Sequence, residues 1–233
     1  MTPSPSWQRP VAITVATTFF VALLSRLPDS YSATAVGFGF LAVTYFLVLR
    51  SDDSQQIARY GLSFSGLFEP EPLSLTRIAR DAGTALLWAL GMALLFLPPF
   101  WLGFLWWWRI RVPFHAPRWD SLGSDFSGQL LVIALPEEAF YRGYLQSALD
   151  EVYKPRWRVL GAELGPGFLL TSALFALGHL CTEFNGARLA VFFPSLVFGY
   201  LRARTRGVGA GLVFHALCNL FASYLGQSYG FPR

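Results

Sequence analysis

Glu137 and Glu138 stand side by side in the run Pro136-Glu137-Glu138-Ala139-Phe140-Tyr141-Arg142, inside what otherwise reads as a membrane-spanning helix. An ionisable side chain at the bilayer centre costs roughly 2.5–3.5 kcal/mol on insertion scales, so three in one turn and a half need partners or a task. Two later apolar segments carry the other polar groups expected at similar depth: His179, then His215 with Asn219. A buried carboxylate beside an imidazole can act as general base on water. Donors aimed in advance at the tetrahedral oxygen lower the barrier further. A carboxylate, two imidazoles and a carboxamide are the equipment of a hydrolase working inside a membrane.

Spacing divides the labour. Residues four apart share a helix face, whereas neighbours are turned by about 100°. Glu138 therefore stacks on Arg142, and the two can neutralise each other while Glu137, stacked on Tyr141, faces a polar cavity. Pro136 lacks the N–H that would bond the Val132 carbonyl and predicts a kink, which is tolerated where backbone lines a watered cavity. Phe175 and His179 share one face of the next helix. His215 and Asn219 share a face of the last, two donors one turn apart and fit to clamp an oxyanion. Each segment alone has a plainer reading: an ion pair that locks packing, with Arg142 snorkelling to water, a hydrogen-bonded packing histidine, or interhelical glue. Taken together, the three segments favour chemistry.

The elements that must position these groups follow from hydropathy. The chain has 233 residues, 54% hydrophobic and only 14% charged, with a mean hydropathy of +0.43. Soluble domains carry about a quarter charged residues, so this is a polytopic membrane protein. Seven apolar stretches, near 10–27, 33–49, 82–108, 126–149, 166–180, 189–201 and 208–225, each approach a bilayer span. The expected architecture is an all-α transmembrane bundle of about seven spans, or eight, forming one domain over 1–233 with its motif-bearing core at 126–225. The third stretch is too long for one straight helix, and Pro98-Pro99 predicts a kink or a break followed by an interfacial piece rich in tryptophan. Before it, Glu69-Pro70-Glu71-Pro72 ends a polar connection, and residues 73–80 predict a helix that starts on the membrane surface.

Charge and cysteine usage narrow the setting. The basic residues of alternate connections sort eleven to six, which places the N-terminus in the cytoplasm by the positive-inside rule. The net charge of +4 thus reads as topology, and no basic run interleaved with aromatics suggests a nucleic-acid partner. Arg9 ahead of an apolar run resembles a signal peptide, but the spans downstream favour an uncleaved first helix. Cys181 and Cys218 form neither a paired framework nor a CxxC.

In order and spacing, Glu137-Glu138-x-x-x-Arg142, Phe175-x-x-x-His179 and His215-x-x-x-Asn219 resemble the CPBP family of intramembrane proteases. That family includes the type II CAAX prenyl endopeptidases and the bacterial Abi-type membrane proteins. The resemblance covers about 130–221, including the helix with Phe198-Gly199-Tyr200-Leu201-Arg202; the first 125 residues carry no matching motif. It implies that Glu137 activates water with help from His179, that His215 and Asn219 hold the oxyanion, and that Glu138 and Arg142 support the site or the substrate tail. It favours a glutamate-driven mechanism without an obligatory cofactor. Glu137, His179 and His215 could still supply three zinc ligands, although HExxH is absent. The arginine-rich, lysine-poor composition suggests a GC-rich bacterial genome, and the expected location is the bacterial inner membrane. A membrane-anchored substrate of the sorting type, with small residues before its anchor and a basic tail, fits such a site. The rival classes are a proton- or ion-coupled transporter, which the short chain without inverted repeats disfavours, and a non-catalytic scaffold or immunity protein.

Overall fold

The computed structural model describes residues 6–51, 53–67 and 72–230. The Glu69-Pro70-Glu71 part of the acidic connection and Arg233, one of the six basic residues of the minority face, lie outside them. Eight helices are present among the described residues: α1 (Gln8–Leu24), α2 (Asp29–Leu49, its last five residues wound as π-helix), the short α3 (Ser54–Arg59), α4 (Leu75–Trp107), α5 (residues 122–153), α6 (Pro166–Thr182), α7 (Phe192–Thr205) and α8 (Gly209–Ser228). Every one of the seven apolar stretches coincides with a helix.

Three of these, α2, α4 and α8, are long and apolar enough by themselves to cross a bilayer, while α1 and α6 are apolar but only 17 residues long. The chain is an integral membrane protein of mostly helical build. One departure from the all-α expectation is an antiparallel hairpin between α5 and α6, Trp157–Val159 paired with Ala162–Leu164. Its turn uses Leu160 and Gly161 at positive φ, and Ala162 and Leu164 pack with Phe168.

The third stretch takes one of its two expected forms, a single helix. Instead of breaking at Pro98-Pro99, α4 runs unbroken for 33 residues, and the helix expected on the surface forms its first turns, capped by the Ser74 hydroxyl on the Arg77 amide. Both prolines are exposed. Contacts on either side of them, Phe96 on Phe214 and Phe100 on Phe221, hold the rod against α8. Neighbouring helices commonly make such prolines tolerable in membranes. In its apolar window only 11% of α4 is buried, against 44% for α8, so α4 is peripheral and α8 central.

The core element is α5. It alternates ordinary and π turns: π over Gln129–Ala134, α over Leu135–Glu138, π over Ala139–Gln146. Such widened turns often mark functional sites. The whole stretch from Glu138 to Gln146 is buried, enclosed by α2, α6 and α7. Small residues let the neighbours approach: a Cβ on Gly37 of α2 would lie 2.5 Å from the Val132 carbonyl, the group Pro136 deprives of its helical partner. A Gly37→Ala change is expected to cost about 1–3 kcal/mol through overpacking, read as a lower unfolding temperature in detergent. Gly83→Ala, where nothing lies within 4 Å of the new methyl, should not lower it.

Candidate active site

The ion pair read from the sequence is present and completely enclosed. Glu138 Oε2 lies 3.5 Å from Arg142 Nε, both side chains fully buried. Arg142 gives a 2.8 Å hydrogen bond from Nη2 to Ser195 Oγ on α7. Its guanidinium sits over the rings of Phe175 and Phe198, 5.1 and 5.8 Å from their centroids. Two apolar faces thus flank a charge that water cannot reach, and their quadrupoles attract it. Arg142 does not snorkel.

Glu138 also reaches across to α8: its Oε1 accepts from His215 Nδ1 at 3.1 Å. Because a carboxylate only accepts, the proton of His215 sits on Nδ1 and its Nε2 is left as an acceptor. The ring stacks on Phe198, 4.5 Å between centroids and 14° between planes. His179 is fixed in a parallel way. Its Nδ1 lies 3.0 Å from the Phe175 carbonyl, one turn back on α6, and a carbonyl can only accept. Its Nε2 lone pair therefore points away from its own helix.

Both Nε2 atoms point to Glu137. Glu137 Oε2 is 3.9 Å from His179 Nε2 and 3.8 Å from His215 Nε2, and it makes no hydrogen bond of its own. These separations are too long for direct bonds and suit a small polar molecule held between the groups. Glu137 and His179 line a cavity of about 170 Å³ together with Tyr141, Gly178, Val21 and Phe40. The structure thus brings Glu137, Glu138, Arg142, His179 and His215 into one cluster drawn from α5, α6 and α8.

Asn219 is placed differently. It lies one turn beyond His215, and its Nδ2 donates to Gln129 Oε1 at 3.0 Å. One of its two amide hydrogens is used there and the other is left. Gln129 was not legible as a site residue, nor was Ser195. Gly211 was also missed: a Cβ there would come within 3.1 Å of Glu138 Oε2. The usable signal was the presence of Gln, Ser and Gly within otherwise apolar helices. Among the described residues no cluster of three or more His, Cys, Asp or Glu side chains has the form of a metal site.

Residues 121–221 match a family model described as type II CAAX prenyl endopeptidase Rce1-like. That stretch of the chain is similar to the Rce1-like family. The Rce1-like region contains all six polar residues singled out above. The description of that family is of an endopeptidase, and the long apolar helices suit a membrane setting. Neither a curated protein nor a solved structure matches the chain.

The enclosed pair makes a stability prediction. Arg142→Met leaves Glu138 buried without a counter-charge and should cost about 3–5 kcal/mol, whereas Arg142→Met with Glu138→Gln should recover a large part of that loss. Unfolding of the four species in a double-mutant cycle checks it.

Proposed function

We propose that the protein is an intramembrane endopeptidase that cuts a membrane-anchored protein near its C-terminal end, using water activated by Glu137. The observation that carries this reading is the position of Glu137 Oε2 between the two imidazole Nε2 atoms, at 3.9 and 3.8 Å. A water in that gap can give its proton to Glu137 as its oxygen attacks the scissile carbonyl. His179 Nε2, held as an acceptor, steadies the water and shares the proton.

The negative oxygen that forms needs donors. His215 can supply an Nε2–H when its ring carries a proton there. Asn219 offers its remaining amide hydrogen, oriented by Gln129. When the intermediate collapses the C–N bond breaks, and the proton taken from water passes to the leaving amine.

This mechanism uses no resident metal. We read the seven longer helices as spans and the N-terminus as cytoplasmic, in a bacterial inner membrane. The sorting-type substrate fits best, since an anchor segment with small preceding residues can enter a site this narrow.

Cells producing the parent chain should yield C-termini in their membrane proteome that are missing with Glu137→Gln or His179→Ala, while both variants keep the parent's helicity and thermal stability. Identical C-termini would leave a scaffold in place of a protease. With a processed substrate in hand, a zinc chelator should leave the rate unchanged, and loss restored by zinc would establish the metal mechanism instead. Asn219→Ala should lower kcat by about 10²–10³, the usual effect of removing an oxyanion donor, with little change in KM.

A further inference from the structure

The close of α4 forms a second cavity, which shares no lining residue with the one that holds Glu137. From Ala82 to Trp108 the chain runs 27 residues without a charge. At 1.5 Å per residue that run covers about 40 Å, more than the roughly 30 Å of hydrocarbon in a bilayer. Arg109 is the first charge beyond it, and Arg111 is the next. The exposed rings of Trp106, Trp107 and Trp108 come just before them, and tryptophan belts lie at the membrane–water interface. Both arginines therefore emerge at the level of the lipid headgroups.

The backbone folds these arginines back under the helix end. The Ile110 N–H donates to the Leu105 carbonyl at 3.0 Å, and the Arg109 N–H to the Trp106 carbonyl at 3.3 Å. This paired closure commonly ends on glycine, because its last residue is left-handed. Here Arg109 fills that position at φ +50°, a conformation that a β-carbon makes costly. Glycine would close the turn with less strain and would remove a cation from the recess. The recess has a volume of about 550 Å³ and is lined by Leu105, Trp106, Trp107, Arg109, Ile110 and Arg111. Its walls thus carry two guanidiniums and no carboxylate. Asp120, the next acid along the chain, pairs with Arg118 at 2.7 Å. Among the described residues neither Arg109 nor Arg111 has an ion-pair partner.

We infer that this recess binds the headgroup of an anionic phospholipid, with the phosphate held between Arg109 and Arg111. Guanidinium groups suit phosphate because their donors match its oxygens in pairs. The acyl chain has a track to follow. Leu95, Leu102 and Trp106 share one exposed face of α4 that leads into the recess, opposite the face that buries Ala89 and Ala93. Two cations without a counter-acid favour a lipid of net negative charge over a zwitterionic one, whose ammonium would meet the same guanidiniums. The bound lipid holds the end of this peripheral helix at a fixed depth. None of this depends on the peptidase reading.

The test uses the purified full chain in a nonionic detergent, supplied with equal amounts of dioleoyl phosphatidylglycerol and dioleoyl phosphatidylcholine. Native mass spectrometry reads the lipid retained. Phosphatidylglycerol should be favoured about tenfold, the order expected of two arginines at a lipid surface, and Arg109→Gln with Arg111→Gln should bring the ratio to about one. Arg156→Gln with Arg158→Gln removes the same charge elsewhere and should leave the preference intact. Arg111→Gln alone, outside the left-handed position, should lower the ratio about threefold, which keeps the test decisive if the double variant is unstable. A parent chain without preference would reduce the two arginines to general interfacial anchors and overturn the inference. So would a preference that survives the loss of both, or one that the Arg156 and Arg158 changes abolish as fully. Inorganic phosphate in large excess should not displace the lipid; complete displacement would make the recess a site for free anions instead.

Discussion

Arg142 and Glu138 are both shut off from solvent, and each spends its remaining contacts on a different helix. The guanidinium binds Ser195 of α7 and lies over Phe175 and Phe198. The carboxylate binds His215 of α8. An uncompensated charge at this depth would be severely destabilising, so the pair can persist only if α6, α7 and α8 close around it. The same closure that shields the charge aligns the chemistry. His215 is turned by Glu138, and His179 sits on the helix whose Phe175 covers Arg142. The pair therefore links the packing of four helices to the orientation of one imidazole.

This arrangement explains why two adjacent acids have unlike surroundings. Glu138 has a guanidinium, an imidazole and the close backbone of Gly211 around it. Glu137, one residue earlier and turned by about 100°, faces a cavity and two imidazole nitrogens that stand off by nearly 4 Å. One carboxylate is committed to structure and the other is left uncommitted. The π turns on either side help, because an extra residue per turn redirects the side chains that follow.

Local rules carried a good part of this from the sequence. The i, i+4 pairing of Glu138 with Arg142 needs only helix geometry, and the seven helices need only runs of apolar residues. What resisted was anything set by distant packing. His215 bonds a residue 77 positions away, and Asn219 finds Gln129 across 90. Neither partner announces itself by spacing. Pro98-Pro99 left two forms open because proline's cost depends on what stands around it: on a helix clamped by aromatic contacts, the two residues remove two backbone bonds without ending the helix. The hairpin at 157–164 was missed because three residues per strand give too short an alternation to read.

The pairing within α5 also bears on how the protein is made. Helices enter the bilayer in the order of synthesis, and α5 emerges before Ser195, Phe198 or His215 exist. A segment holding two acids and an arginine would be a poor candidate for insertion if its countercharge arrived from a later helix. Because Glu138 and Arg142 are one turn apart on the same helix, the nascent segment carries most of its neutralisation with it. Only Glu137 is left to wait for company, until α6 and α8 bring His179 and His215 to within 4 Å of it.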